Sequence, residues 1–500
     1  MTDGFNIAEY LDVANSFLFR YVLVGLLLGG GLYFTIRTGF VQIRHFPKLF
    51  AALRGSTSHG KQSVSSFEAF MTSLAARVGT GNIAGVAIAI TLGGPGAIFW
   101  MWIVALLGMC TSMVECTLAQ VFKERRPDGL FRGGPAYYME RGLGRRWLGM
   151  VFAILFVLSY GLVFCGVQAN SVADAMAGAF SIPPGVVAVV LGALTLLVIA
   201  GGVRRVSRTA EAVVPAMAAI YLAITVAVLV MNFGEVPAVL GEIVTSAFGS
   251  AQAVGGAVGY GFAAAIRAGI NRGLFSNEAG LGSSPNAAAT ADVPHPARQG
   301  YVQALGVFFD TIIICTSTAL IILLSGVFTP GQPVAGVTLT QQALSAEVGS
   351  WGTGFVAIVL LFFGFTTIIA LYSYAETNLI YALQTQARVK VGIGVLRAAT
   401  ILSVVGGALL ELALVWTIAD FALAVTAIIN LIVILALSPI AFAVIRDYGR
   451  KLRESSSPRF DPAQFPAFVD RIAPDVWTAG ASSGTPAAGT AATSGPAQPV

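Results

Sequence analysis

Asn271-Arg-Gly-Leu-Phe-Ser-Asn-Glu-Ala-Gly-Leu-Gly-Ser-Ser-Pro285 interrupts an apolar stretch with charge, amides, hydroxyls and glycine. A second interruption, Val78-Gly-Thr-Gly-Asn-Ile-Ala-Gly-Val86, lies in another apolar stretch about 190 residues earlier. Glycine weakens a helix by about 1 kcal/mol against alanine, so several together unwind it. In a bilayer, unwound backbone survives only where protein or a cavity satisfies it. The reading therefore turns on whether the surroundings are a bilayer.

Composition says that they are. The chain has 500 residues, 56% hydrophobic and 11% charged, against about 25% charged for a soluble domain. Apolar runs of spanning length, about 20 residues, recur throughout, and the short alternating segments of a β-barrel do not dominate. The fold class expected is an all-α integral membrane protein with eleven transmembrane helices. An opening helix covers 17–36. Ten more follow at about 64–91, 95–122, 147–177, 185–202, 210–232, 255–285, 298–326, 350–385, 391–410 and 412–445. Residues 1–16 contain no Lys or Arg, so no secretory n-region is present and the opening helix is expected to persist. Beyond 454 the apolar runs stop. After Asp475 the chain turns to Ala, Gly, Ser, Thr and Pro, and the stretch 454–500 reads as a disordered tail.

Loop charge tests the count. Lys and Arg gather in cytoplasmic loops. They occupy the loop after the opening helix (Arg37, Arg44, Lys48, Arg54, Lys61) and the loop after the second of the ten (Lys123 through Arg146). They recur after the fourth (Arg204, Arg205, Arg208), sixth (Arg298) and eighth (Arg388, Lys390), and after the last (Arg446, Arg450, Lys451, Arg453). The alternate loops contain neither residue. This pattern places residues 1–16 outside and the C-terminus in the cytoplasm.

The two interrupted helices are the first and sixth of ten, and five is odd. The halves 64–232 and 255–445 therefore run inverted with respect to each other. Paired broken helices at matching places in two halves point to a secondary transporter's binding site. Half-helix N-termini offer N–H groups to a carboxylate, and freed carbonyls offer oxygen to a cation. The bland alternative is close helix packing, for which Gly81 and Gly85 form a GxxxG pair.

These two motifs, with Gly133-Gly-Pro-Ala-Tyr-Tyr-Met139, resemble the signatures of the alanine or glycine:cation symporter family, over about residues 15–450. The resemblance implies a LeuT-type 5+5 inverted repeat with one extra N-terminal helix. It implies Na⁺-coupled uptake of a small neutral amino acid, alanine or glycine, through a plasma membrane, in bacteria the inner membrane. Carried over, the substrate-binding residues are Thr80, Gly81 and Asn82 at the first break, Phe275, Ser276 and Asn277 at the sixth, and Gln168 on the third helix. Gln168 otherwise reads as an interhelical hydrogen bond. The Na⁺ ligands implied are the carbonyls of Ala75 and Val78 with the hydroxyls of Thr366 and Thr367. A buried threonine pair otherwise bonds back to its own helix. A transporter of the same fold for another small substrate, or coupled to H⁺, is the rival reading.

Intramembrane charges need partners, so Arg77, Glu115, Arg267, Arg272, Glu278, Asp310 and Glu376 are expected in pairs or networks. Cys110, Cys116, Cys165 and Cys315 sit in apolar runs without a CxxC pair and read as small packing residues. His45, His59 and His295 are scattered in loops, with no nucleophile–base or metal spacing, which argues against an enzyme. Gly55-Ser-Thr-Ser-His-Gly60-Lys61-Gln62 nearly matches a phosphate-binding loop but ends in Gln and follows no strand. The partners expected are the amino acid and the lipid bilayer, with no nucleic acid and no obligatory protein partner.

Overall fold

The structure, a computed structural model, describes residues 7–54, 64–126, 129–248, 261–331, 336–383, 385–455 and 458–477. The near-match to a phosphate-binding loop at 55–62, His59, the start of the sixth segment and the end of the tail lie outside them.

The opening segment is one continuous rod. α1 (Ile7–Phe17) passes through a π-helical stretch at Leu18–Leu23 into α2 (Val24–Arg37), and the short α3 (Val41–Arg44) and α4 (Phe46–Leu53) follow. Helix thus begins well inside the stretch read as a leading terminus. The first broken segment starts at α5 (Ser66–Arg77), whose N-terminus Ser65 and Glu68 close as a capping box. Such reciprocal bonds satisfy two N–H groups that a helix start leaves open. After the break comes a π-helical turn at Gly81–Gly85 and then α6 (Val86–Gly93). α7 (Gly96–Val121) is an unbroken span of 26 residues. A two-stranded hairpin, β1 (Glu124–Arg125) with β2 (Phe131–Arg132), leads to the short α8 (Pro135–Arg141). α9 (Arg146–Leu158) and α10 (Phe164–Phe180) join through a π-helical turn at Ser159–Val163.

α11 (Pro184–Ile199), α12 (Gly202–Met231) and the loop helix α13 (Val236–Ser246) complete the first half. The second half has α14 (Phe262–Asn277) and α15 (Ser284–Thr290) on either side of the sixth-segment break. Next come α16 (Pro296–Val307), a π-helical stretch at Phe308–Cys315 and α17 (Thr316–Leu324). The loop helix α18 (Val337–Val348) and the long α19 (Trp351–Leu383), α20 (Gln386–Leu409) and α21 (Leu412–Glu454) close the chain.

Seven described helices are long and apolar enough to cross a membrane, and an eighth if the pair Ser66–Arg77 and Gly81–Gly93, bent by 49°, counts as one span. The other expected spans fall short by length. α11 has 16 residues, and α2 has 14 after the π-helical stretch. α14 emerges from residues outside the description.

The core packs α5, α7, α14, α16 and α19 together, with Tyr138, Tyr160, Tyr301 and Tyr374 fully buried. α10 and α20 approach so closely that a Cβ on Gly407 would strike the Gly166 backbone. Glycine there permits contact that any side chain would block, the usual device for helix pairs in lipid. The four cysteines are free and buried.

The expectation of a structureless tail is corrected for residues 458–477. They form two 3₁₀ turns, and Phe460 donates its N–H to Pro294 O at 2.9 Å. Phe460, Phe468, Ile472 and Val476 are buried. The physical reason is aromatic content: Phe460 meets Phe465 at 5.3 Å and Trp477 at 5.2 Å between ring centroids. Lys123, against which Trp477 closes at 4.8 Å, is buried, and that burial lowers its pKa to about 7.

Candidate functional site

At the first break α5 ends at Arg77, and the Val78 backbone has φ −77° and ψ 87°, outside the helical region. The carbonyls of Ala75 and Val78 are thereby turned toward α19. The Thr367 hydroxyl donates to Ala75 O at 2.8 Å and lies 3.3 Å from Val78 O. The break's own N–H groups are taken by neutral amides: Gly79 N–H by Asn82 Oδ1 at 2.8 Å, and Thr80 N–H by Gln168 Oε1 at 3.0 Å. A Cβ on Gly79 would lie 2.6 Å from Thr367 Oγ1 and 2.9 Å from Gln168 Oε1, so only glycine admits both groups. Gly81 presses on the sixth-segment helix, where a Cβ would meet Phe275 Cδ1 at 3.1 Å and Ser276 Cα at 3.3 Å.

At the second break α14 stops at Glu278, held in the left-handed region at φ 54°. The exposed backbone is held from α7. Glu115 accepts from Gly280 N–H at 3.1 Å and Gly282 N–H at 3.2 Å, and from Asn430 Nδ2 at 3.0 Å. Asn430 Nδ2 also donates to Gly280 O at 2.9 Å, closing the ring. Asn277 Oδ1 accepts from Ala279 N–H at 3.0 Å.

A third cluster links the breaks. Asp310, in the π-helical stretch between α16 and α17, accepts from Asn82 Nδ2 at 2.6 Å, Ser276 Oγ at 2.9 Å and Thr311 Oγ1 at 2.8 Å. Cys315 Sγ lies 3.3 Å from Asn82 Nδ2 and 3.1 Å from Ser276 Oγ. Every one of these side chains is at most 2% exposed.

A cavity of about 10 Å³ lies among these elements, lined by Gly79, Gly81, Gln168, Phe275, Glu278 and Thr367. That volume suits about one water molecule, so the site is closed around itself. Phe275 roofs it, 5.8 Å from the Phe164 ring and 4.7 Å from Trp416. Above Trp416 the Arg272 guanidinium stacks at 4.5 Å and pairs with Asp420 at 2.6 Å. On the opposite side, a cavity of about 250 Å³ opens among Arg132, Gly202, Thr290, Glu376 and Ile393.

The expected residues divide. Gly81, Gln168, Phe275 and Thr367 line the closed cavity, and the Ala75 and Val78 carbonyls face the Thr367 hydroxyl. Asn82 and Ser276 instead face Asp310, and Asn277 braces its own break. Thr80 reaches the site through its N–H. The Thr366 hydroxyl bonds back to Phe362 O at 2.9 Å and Phe363 O at 3.1 Å, away from Ala75 and Val78.

The buried charges also divide. Arg272 and Glu376 form ion pairs, the latter with Arg132 at 3.8 Å. Arg77 donates to neutral oxygens: Ser284 at 2.6 Å, Ser112 at 3.0 Å and Gln303 O at 3.1 Å. Arg267 is exposed rather than buried. Sequence reasoning did not place Asp310 or Glu115 at the site. Their one signal was a carboxylate inside an apolar run.

Two broken helices closed around a buried polar cavity are the architecture of a membrane carrier. The family described as the sodium:alanine symporter family matches residues 5–462, and the chain belongs to it. Sodium-coupled transport of an amino acid is the activity that goes with this membership. Similar proteins include the amino-acid carrier protein AlsT of Bacillus subtilis, 47% identical over 91% of this chain and 95% of that one. The probable sodium/glutamine symporter GlnT of the same organism is 47% identical over 90% and 92%. The sodium/alanine symporter AgcS of Methanococcus maripaludis is 40% identical over 88% and 96%. Among solved structures, a manganese transporter of Eremococcus coleocola matches at 16% identity over 76% of this chain and 78% of that one, with a TM-score of 0.46, too distant to argue from.

Proposed function

We propose that this chain takes up alanine and glycine with Na⁺ by alternating access, on a LeuT-type 5+5 inverted repeat preceded by one extra helix. In this reading eleven segments cross the plasma membrane, with the N-terminus outside and the C-terminus in the cytoplasm, as the loop arginines require. Na⁺ sits where Thr367 meets the Ala75 and Val78 carbonyls, a set of hard oxygens that suits a hard cation. The contact of one hydroxyl with two carbonyls freed by a helix break is the observation that carries the proposal.

The substrate carboxylate takes the place at Thr80 N–H and Gly81 that the Gln168 amide oxygen fills while the site is closed. Phe275 roofs the bound amino acid. Asp310, with Asn82 and Ser276, supplies negative charge for a second cation or for the substrate ammonium. Na⁺ stabilises the unwound backbone and thereby raises amino-acid affinity, and the coupling is reciprocal. The drive is the Na⁺ gradient plus the membrane potential, about 2.3 kcal/mol per charge per 100 mV.

The deciding experiment is uptake of labelled alanine into proteoliposomes under an imposed Na⁺ gradient, against a matched K⁺ control. Accumulation with Na⁺ alone, competed by glycine, is the expected result. Equal uptake in K⁺ would remove Na⁺ coupling from the reading. Competition by glutamine in place of glycine would move the substrate toward that named for GlnT.

A further inference from the structure

A cavity of about 220 Å³ lies at the arginine-rich end of the molecule, where α2 and α3 meet the end of α21. Five arginines line it: Arg37 and Arg44 from the opening region, and Arg446, Arg450 and Arg453 from α21. Its floor is buried His45, hydrogen-bonded to Tyr301 at 2.8 Å. The transport site uses none of these groups.

Most of the charge in this cavity is uncompensated. Asp447 is the carboxylate beside it, and it is already shared by Arg450 at 2.7 Å, Lys451 at 2.8 Å and His295 at 3.1 Å. Among the described residues no salt bridge engages Arg37, Arg44, Arg446 or Arg453. Arg37 rests on the rings of Phe442 and Tyr33, at 5.8 and 6.0 Å, and Arg446 donates to the Arg37 carbonyl at 3.5 Å. Like charges gathered without counter-charge repel one another, and planar guanidiniums match phosphate oxygens in pairs.

An apolar track runs beside the cavity: Phe442, which lines it, meets Tyr33 of α2 at 5.8 Å between ring centroids. α2 exposes Tyr33, one turn before Arg37, and Ile36, next to it, with Leu32 beside them. These positions share a helix face. A cationic pocket at the end of an exposed apolar stripe has the layout of an amphipathic ligand, with an anionic head and a hydrocarbon tail. Basic pockets of this kind between membrane helices hold lipid headgroups.

We infer that this cavity binds the phosphate headgroup of an anionic membrane lipid, seated between α2 and α21 with its acyl chains along Leu32, Tyr33 and Ile36. The lipid then cements the extra N-terminal helix to the last helix. His45 is consistent with the local field. Its pKa is lowered by burial first and then by Lys48, Arg44 and Arg453, so the floor stays neutral beneath the arginines.

The test uses the full chain in detergent, with lipid adducts counted by native mass spectrometry. Dioleoylphosphatidylglycerol is expected to bind roughly tenfold more tightly than dioleoylphosphatidylcholine, and R44Q with R453Q to erase that preference. The control R388Q with K390Q, on α20, is expected to keep it. Inorganic phosphate in excess is expected not to displace the lipid. Equal binding of the two lipids by the unsubstituted protein, or a preference that survives R44Q with R453Q, overturns the inference. Displacement by inorganic phosphate overturns the lipid as the source of the phosphate. Thermal unfolding of each variant checks folding. Should the pair not fold, Arg453→Gln alone, on the exposed end of α21, carries the same comparison.

Discussion

The two helix breaks are filled in opposite ways. At the first, the freed N–H groups of Gly79 and Thr80 meet single neutral amide oxygens, from Asn82 within the same segment and Gln168 on another helix. Its freed carbonyls meet one hydroxyl from α19. At the second, one carboxyl group on α7 gathers two backbone N–H groups, and Asn430 on α21 ties the same knot. The first break is stocked with partners that can be exchanged one at a time, which suits a cation and a carboxylate that come and go. The second is held by a carboxylate and an amide from two other helices at once, which suits a fixed bend. The two breaks, alike in composition, thus differ in how their backbone groups are satisfied.

The largest expected effect breaks the fixed side. Glu115→Ala strands the N–H groups of Gly280 and Gly282 and one of the two amide N–H groups of Asn430. At about 1 kcal/mol or more for each buried donor left unpaired, roughly 3 kcal/mol is lost. Thermal unfolding in detergent should show a clear fall, and Glu115→Gln, which keeps one of the two acceptors but turns an amide N–H toward the other donor, should recover only part of it. Gln168→Ala strands only the Thr80 N–H and should cost about a third as much. Equal destabilisation by the two alanine variants would erase the contrast between the breaks.

Next in size is Asp310→Asn, which should raise the Na⁺ concentration for half-maximal alanine uptake by more than tenfold, since 1.4 kcal/mol of lost attraction corresponds to a factor of ten. An unchanged Na⁺ requirement would leave Asp310 a structural link between the breaks. Thr367→Ala should shift the same midpoint by about tenfold. Thr366→Ala, whose hydroxyl is spent on its own helix, should shift it by less than about twofold. This pair sharpens the comparison most cheaply, because the two side chains are adjacent and equal in size.

The smallest effect concerns Lys123. Its folded pKa, lowered to about 7 by burial, lies below the ordinary value of about 10.4. Between those values the unfolded chain binds more protons, so this residue's contribution makes stability rise with pH through that window and fall away as pH drops toward 7. Subtracting the Lys123→Met unfolding curve between about pH 7 and 9 from that of the unsubstituted protein should leave a positive slope. A flat difference would place the lysine in a wetter setting.

Much of this arrangement was legible in the sequence, and the reasons for the rest are physical. Clustered Gly, Asn and Ser inside apolar runs mark helix breaks because propensity is local. The approach of Thr367 to Ala75 and Val78 followed from the family resemblance. Which of two neighbouring threonines makes it did not, because successive residues on a 3.6-residue helix point about 100° apart and period alone does not fix the rotation. Glu115 and Asp310 were visible as misplaced charges. Their partners lie far along the chain, Gly280 from Glu115 and Asn82 from Asp310, and only the tertiary fold brings them together. The π-helical turns left no signal that composition carries. The tail misled because its Ala- and Gly-rich end outweighed the aromatic anchors Phe460, Phe468 and Trp477.

That docked tail bears on how the protein is made. Trp477 packs in one cluster with Val64, Ala69, Ala291 and Val293, and Val64 leaves the ribosome about 410 residues earlier. At about 5–20 residues per second, the start of the first broken helix waits roughly 20–80 s for the aromatic ring that covers it. Throughout that interval the start of the broken helix lacks the ring that covers it in the finished fold, and a chain cut short before Trp477 would leave Val64, Ala69, Ala291 and Val293 without that cover.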